Sequence, residues 1–267
     1  MGPELHGRRA LVTGASGGLG QAIARALHAR GATVVLTARR RELLEQLSGE
    51  LGERVETVPA DLTDRQAVAE LPQRAGSVDV LVANAGLQAG GPLLDFEPDQ
   101  IDRALDVNLR APIQLARALA PAMVERGDGH LVFISSIAGK VANPGSSLYS
   151  GTKFGLRGFA FGLSEDLRGT GVGVTTVFPG FVRGAGMFHD AGVKLPPGIG
   201  TRSPEQVAAA VLKGIESGRA EIDVAPLPQR AGGWIAGIAP SALAAVVRRL
   251  GGAEVSSALA RAHEAKR

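Results

Sequence analysis

The tyrosine and lysine of "YSGTK", residues 149–153, stand four positions apart, and Tyr149 is the only tyrosine in the chain. Together the two residue types can move a proton. A phenol with an ordinary pKa near 10 is a poor base at neutral pH, and bringing it toward 7 takes about three pKa units, or roughly 4 kcal/mol of preference for the phenolate. Burial alone pushes the other way, because it disfavours the charged form, so a nearby cation is required. Lys153 lies one helical turn on, along the same face of any helix formed here. On these two residues alone, an aromatic packed in an ordinary helix is an equal reading.

A second chemical feature is "TGASGGLG" at 13–20. Glycines at 14, 18 and 20 fall between the first apolar strand pattern and the first helical one. Such a loop turns sharply and lets a pyrophosphate approach the amides of a helix N-terminus. Its spacing, G-x-x-x-G-x-G, differs from the common G-x-G-x-x-G fingerprint. The second strand ends in "VVLTARRR". An NAD site usually places a carboxylate there for the ribose 2′-hydroxyl; this chain has Ala38 and then Arg39. A guanidinium binds a 2′-phosphate through parallel charge-assisted bonds, so NADP(H) is expected ahead of NAD(H). Ser16 is placed to help hold the same phosphate, while Arg40 and Arg41 read as surface residues opening the next helix.

The elements that must position these groups follow from hydrophobic periodicity. Strands are predicted at 9–13, 33–37, 55–59, 78–83, 130–135, 172–178 and 221–225, with helix-period stretches between them. Several strands are apolar almost throughout, as in sheets covered on both faces. The alternation predicts an α/β chain with one doubly wound, seven-stranded parallel sheet of Rossmann type. Residues 1–267 are read as a single domain, with a core over about 7–225 and a helical C-terminal extension over about 226–267.

Further motifs occur in order: "ADL" at 60–62, "ANAG" at 83–86, "VNL" at 107–109, "ISSIAG" at 134–139, "YSGTK", and "PG" at 179–180. With the glycine loop they resemble the short-chain dehydrogenase/reductase family from about residue 7 to residue 225. The resemblance implies an oxidoreductase interconverting a carbonyl and a secondary alcohol. It assigns Tyr149 as proton donor and acceptor, and Lys153 as the cation that lowers its pKa and binds the nicotinamide ribose. Ser136 would bond the substrate oxygen, and Asn108 would hold a water linking Lys153 to solvent. Gly14, Ser16, Gly18, Leu19, Gly20, Arg39, Asp61, Leu62, Asn84, Ala85, Gly86, Pro179, Gly180 and Val182 would line the cofactor, with Asp61 on the adenine amino group. Two positions depart from the family pattern: Ala83 replaces an asparagine, and Gly184 stands where many relatives have a threonine that contacts the cofactor.

The helix around Tyr149 has two stripes. Tyr149, Lys153, Leu156, Ala160, Leu163 and Leu167 form a sheet-facing stripe. Gly151, Gly155, Gly158 and Gly162, flanked by Phe154, Phe159 and Phe161, form the other. Four glycines cost about 3–4 kcal/mol of helix propensity relative to alanine, which suits close approach of another helix. A homodimer or homotetramer through residues 147–167 is expected, as the family resemblance also implies.

Substrate choice is expected from 184–202, where Met187, Phe188, Val193, Leu195 and Ile199 are apolar, and from 88–95; a small, mostly apolar substrate is the reading. The tail, "GGWIAGIAPSALAAVVRRLGG", is read as a cover for the cleft, a subunit contact or a peripheral membrane element, with Trp234 packed as its anchor. The absence of cysteine excludes disulfides and thiolate chemistry, and the five scattered histidines give no metal site. Basic residues are dispersed among acids, and the aromatics are one tryptophan, one tyrosine and eight phenylalanines, so nucleic-acid binding is not expected. Without an apolar leader pattern, a cytoplasmic location is expected. A catalytically silent NADP-binding regulator and an epimerase or dehydratase remain as alternatives.

Overall fold

In the computed structural model, which describes residues 5–142, 144–193 and 200–249, seven strands form one parallel sheet. The strands are β1 (Arg9–Thr13), β2 (Thr33–Thr37), β3 (Val55–Thr57), β4 (Val80–Ala83), β5 (Gly129–Ile134), β6 (Val172–Pro179) and β7 (Glu221–Val224). Their spatial order is β3-β2-β1-β4-β5-β6-β7. The chain first steps outward from β1 to β3, then returns to lay β4 against the other side of β1. A crevice opens at this reversal, at the C-terminal ends of the strands.

Ten helices accompany the strands among the described residues: α1 (Gly18–Ala29), α2 (Arg41–Leu51), α3 (Arg65–Ala75), α4 (Pro98–Leu105), α5 (Ala111–Glu125), α6 (Ser147–Asp166), α7 (Gly186–Ala191), α8 (Pro204–Ser217), α9 (Leu227–Ile238) and α10 (Pro240–Arg249). Successive strand residues point to opposite faces. Ala10 and Val12 therefore join a core with Ile23 and Leu27 of α1, Leu44 of α2 and Val211 of α8. Leu11 joins the opposite core with Leu71 of α3, Leu115 of α5 and Leu156 of α6. Both faces are covered, which is why the strands read as continuous apolar runs.

The predicted strands are present; three are shorter than expected, β3 and β4 by two residues each and β7 by one, and for β3 the physical reason is clear. β3 ends at Thr57, although Val58 and Ala60 still donate to Leu36 and Ala38 of the neighbouring segment. Pro59 lies between them and has no N–H to continue the ladder.

One buried polar contact couples the sheet to pH. The His130 ring on β5 lies over Gly173 of β6, where a Cβ would come within 2.3 Å of Nδ1. Its Nε2 is 2.9 Å from Thr175 Oγ1, and that hydroxyl donates to the Arg219 carbonyl at 2.7 Å. The hydroxyl must therefore accept from His130, which places a proton on Nε2. Burial pushes the His130 pKa down to about 4 from 6.5. The unfolded chain takes up this proton first, so the contribution is complete above pH 6.5 and is lost as pH falls toward 4. Over that window the loss amounts to about 3 kcal/mol. Urea unfolding at pH 7 and pH 4.5 should show a smaller acid loss in His130→Gln than in the parent chain. Equal losses would remove His130 as the cause.

Candidate active site

A cavity of about 890 Å³ runs along the C-terminal strand ends, from the glycine loop to the start of α6. Gly14 takes φ +67°, a left-handed conformation, and a Cβ there would sit 2.8 Å from Ala85 Cα. At Gly20 a Cβ would meet Gly14 O at 2.3 Å, so the first turn of α1 closes directly on the loop. Thr13, which sequence reasoning missed, fastens the other wall. Its Oγ1 accepts from the backbone N–H groups of Asn84 and Ala85 at 2.9 Å each, and Asn84 Nδ2 donates to Thr13 O at 2.9 Å. Gly14, Ser16, Gly18, Leu19, Gly20, Asn84, Ala85 and Gly86 all line the cavity.

At the far end Arg39 and Arg40 both line the same space. Arg40 is exposed at the start of α2, as expected, and its Nη2 also lies 3.3 Å from Ser16 Oγ and 3.4 Å from Ser16 O. As the residue capping the N-terminus of α2, its extended backbone carries the side chain back over the glycine loop. Asp61 Oδ1 accepts from Thr63 N and Thr63 Oγ1 within its own turn, at 3.0 and 2.9 Å, while Leu62 is buried against the core.

The other end gathers Ser136, Tyr149 and Lys153. Ser136 bonds the Tyr149 hydroxyl, and its Oγ also accepts from Ala138 N at 3.1 Å. Strand alternation sends Ser135 the other way, where Oγ donates to Lys153 O at 3.0 Å. Lys153 is buried; its Nζ donates to Ile134 O at 3.0 Å and lies 5.7 Å from the centre of the Tyr149 ring. Burial lowers the Lys153 pKa to about 8. Tyr149 moves upward from its ordinary value, because burial outweighs the lowering effect of the Ser136 bond. In this state the lysine does not bring the phenol toward neutrality, contrary to the expectation from the residues alone: dehydration weakens both charged forms.

Asn108 is fully buried in a single π-helical turn, Asp106–Arg110, between α4 and α5. Its Oδ1 accepts from Leu87 N at 2.7 Å, and Nδ2 donates to Leu87 O at 3.0 Å and approaches Thr152 Oγ1 at 3.3 Å. The amide thus clamps the segment after β4 to α6 beside Lys153.

Pro179, Gly180 and Val182 line the cavity after β6. Gly184 takes φ +75°, a backbone that threonine adopts poorly. Phe181 packs on Phe188 of α7 with ring centres 4.9 Å apart. Phe188, Ile235 of α9, and Leu243 and Val246 of α10 line the cavity, so the tail helices form part of its wall. Trp234 is not the packed anchor expected: it is 60% exposed, since α9 turns that side away from the cavity. Lys194, Leu195 and Ile199, and the tail beyond 249, lie outside the described residues. Among the described residues no helix is long and apolar enough to cross a membrane.

The two faces of α6 are largely as expected. Lys153, Leu156 and Ala160 are buried, and Gly151, Gly158 and Gly162 are exposed with open space where a Cβ would lie. Gly155 differs, because Leu109 of the same chain would lie 3.2 Å from its Cβ. Phe159 also belongs inside, edge-on to Phe133 at 5.6 Å, whereas Phe154 and Phe161 are exposed.

A family model described as short chain dehydrogenase matches residues 8–194. Nodulation protein G of Rhizobium sp. (strain N33) is 44% identical over 186 residues, covering 68% of this chain and 76% of that protein. The ketoacyl reductase HetN of Nostoc sp. (strain PCC 7120) is 37% identical over 227 residues, covering 82% and 79%. Among solved structures, a short-chain dehydrogenase from Sphingobium yanoikuyae in complex with NADPH has a TM-score of 0.75 and 30% identity, covering 82% of this chain and 88% of that one.

Proposed function

The chain belongs to the short-chain dehydrogenase family, and we propose that it is an NADP(H)-dependent oxidoreductase that interconverts a carbonyl and a secondary alcohol on a small, mostly apolar substrate. The observation that carries this reading is one cavity holding a hydroxyl, a phenol and an ammonium group at one end and a glycine loop with two arginines at the other. Arg40 over Ser16, Arg39 beside it and the uncharged Ala38 suit a 2′-phosphate. The NADPH complex of the Sphingobium relative supports the same choice.

The dinucleotide, when bound, supplies or accepts a hydride, and its oxidised ring carries positive charge. Every other step is performed by side chains. In the reducing direction Tyr149 donates its proton to the substrate oxygen, and a phenol whose pKa is raised is kept in the donating form at neutral pH. Ser136 bonds the same oxygen and fixes its position. Lys153, with a pKa of about 8, stands ready to return a proton while holding the ribose. Asn108 acts as a positioning residue, aligning the cavity wall with α6. Phe181, Phe188, Ile235, Leu243 and Val246 exclude water around an apolar substrate.

A carbonyl panel followed by NADPH absorbance, with NADH in parallel, tests the reading. NADPH is expected to outperform NADH, by a margin that shrinks at least about tenfold in Arg40→Ala, the loss of one charge-assisted contact. Tyr149→Phe should abolish turnover while leaving NADPH binding nearly intact. Preference for NADH, or near-normal turnover by Tyr149→Phe, would overturn it; binding without turnover by the parent chain would favour the silent regulator.

We also propose that the exposed glycine face of α6 seats a helix of a second copy, because Gly151, Gly158 and Gly162 leave open space beside exposed Phe154 and Phe161. Gly158→Arg should convert the oligomer to monomer in sedimentation; an oligomer that survives this change assembles elsewhere.

A further inference from the structure

Ten large apolar side chains are exposed among the described residues, and five of them lie on α9 and α10: Leu227, Trp234, Ile235, Ile238 and Val246. Ile238 is 89% exposed, Leu227 67% and Trp234 60%. On most folded proteins such residues are scattered singly, and a contiguous group of them marks a surface made for contact.

At 100° per residue Leu227, Trp234 and Ile238 fall within about 40° of one another, so they form a single stripe along the whole of α9. The two flanks of the stripe differ. On one, Ala231 and Ile235 line the catalytic cavity together with Leu243 and Val246 of α10. On the other, Arg230 and Trp234 line a separate hollow with Lys213 of α8 and Arg219, which precedes β7. Glu221 and Asp223 also line this hollow, but both are paired with Lys140, and Glu221 with Arg157 as well. Lys213, Arg219 and Arg230 have no ion pair among the described residues, so the hollow carries surplus positive charge.

An apolar stripe beside unpaired cations, with an indole at the boundary between them, has the composition of a helix that lies in a membrane interface. Anionic headgroups would neutralise the surplus charge. A second copy docked on the same face would instead carry the same surplus into the contact from both sides.

We propose that α9 docks this protein peripherally on anionic lipid surfaces, with Leu227, Trp234 and Ile238 entering the boundary between headgroups and acyl chains and Lys213, Arg219 and Arg230 meeting lipid phosphates. The flank carrying Ala231 and Ile235 then sets the cavity beside the lipid, which gives the mostly apolar substrate of the oxidoreductase reading a route that avoids water. Only that route rests on the reading; the docking does not.

Trp234 is the only tryptophan in the chain, so its emission reports on the stripe directly. The full chain is mixed with vesicles of phosphatidylglycerol and phosphatidylcholine, and separately with vesicles of phosphatidylcholine alone. It should sediment with the anionic vesicles, its emission should move to the blue and become shielded from a soluble quencher, and added salt should release it. Ile238→Asp and Leu227→Asp should each weaken binding about tenfold or more, the loss of one buried apolar side chain. Both positions are exposed, so circular dichroism and melting of these variants should match the parent chain. Lys213→Gln and Arg219→Gln should each weaken binding about fivefold, on the anionic vesicles alone. Failure to sediment, equal binding to both kinds of vesicle, sedimentation with the emission unmoved, or undiminished binding by Ile238→Asp would each overturn the proposal. An emission already blue and shielded without lipid would also overturn it, and would assign the stripe to a contact within the protein or between copies. None of these readouts involves NADPH oxidation, so their failure is distinct from failure of the carbonyl panel.

Discussion

The site depends on an ammonium group that the fold buries almost completely at the inner end of the cavity. Lys153 is buried between α6 and the end of β5, where its Nζ donates to Ile134 O, and burial lowers its pKa to about 8. Burial likewise raises the pKa of Tyr149. Each group is thus held toward its neutral form, and the pair is biased to respond to any charge brought beside it. A phenol in water would feel a nearby cation far less, because the higher dielectric weakens the interaction.

Much of the surrounding structure maintains that arrangement. Ser135 bonds the Lys153 carbonyl, and Gly139 has no Cβ, which would come 2.8 Å from the same atom. Lys140 contacts Asp223 at 2.7 Å and Glu221 at 3.0 Å, and Arg157 of α6 contacts Glu221 at 2.6 Å. Burial pushes the Glu221 carboxyl up, but Arg157 and Lys140 outweigh it and hold it below the usual range. The edge strand β7 is thereby tied to the helix that carries Tyr149. On the other side Asn108 joins α6 to the segment after β4. A buried polar network satisfied in this way fixes one geometry, since any shift leaves a charge or an amide without its partner.

The sheet was legible in the sequence because apolar runs of strand length admit little else when they alternate with helical periods. The glycine loop and the Tyr149–Lys153 spacing were legible because few residue types satisfy their backbone and chemical demands. Other features depend on tertiary direction and left no local signal. Arg40 is a surface residue at the start of α2, as its place in the sequence suggests, but its contact with Ser16 depends on the turn before that helix. Trp234 reads as an anchor until α9 turns it outward. The direction of the Tyr149 pKa was likewise hidden, because spacing reveals a nearby cation and not how thoroughly water is excluded from both groups.

Because the chain has a single tyrosine, ultraviolet difference titration reads the ionisation of Tyr149 and no other phenol. The account predicts that the free protein forms phenolate only above the ordinary range for tyrosine, and that saturating NADP⁺ moves the midpoint downward by bringing positive charge into the buried site. A midpoint already near neutrality in the free protein, or one that NADP⁺ leaves unmoved, would contradict it.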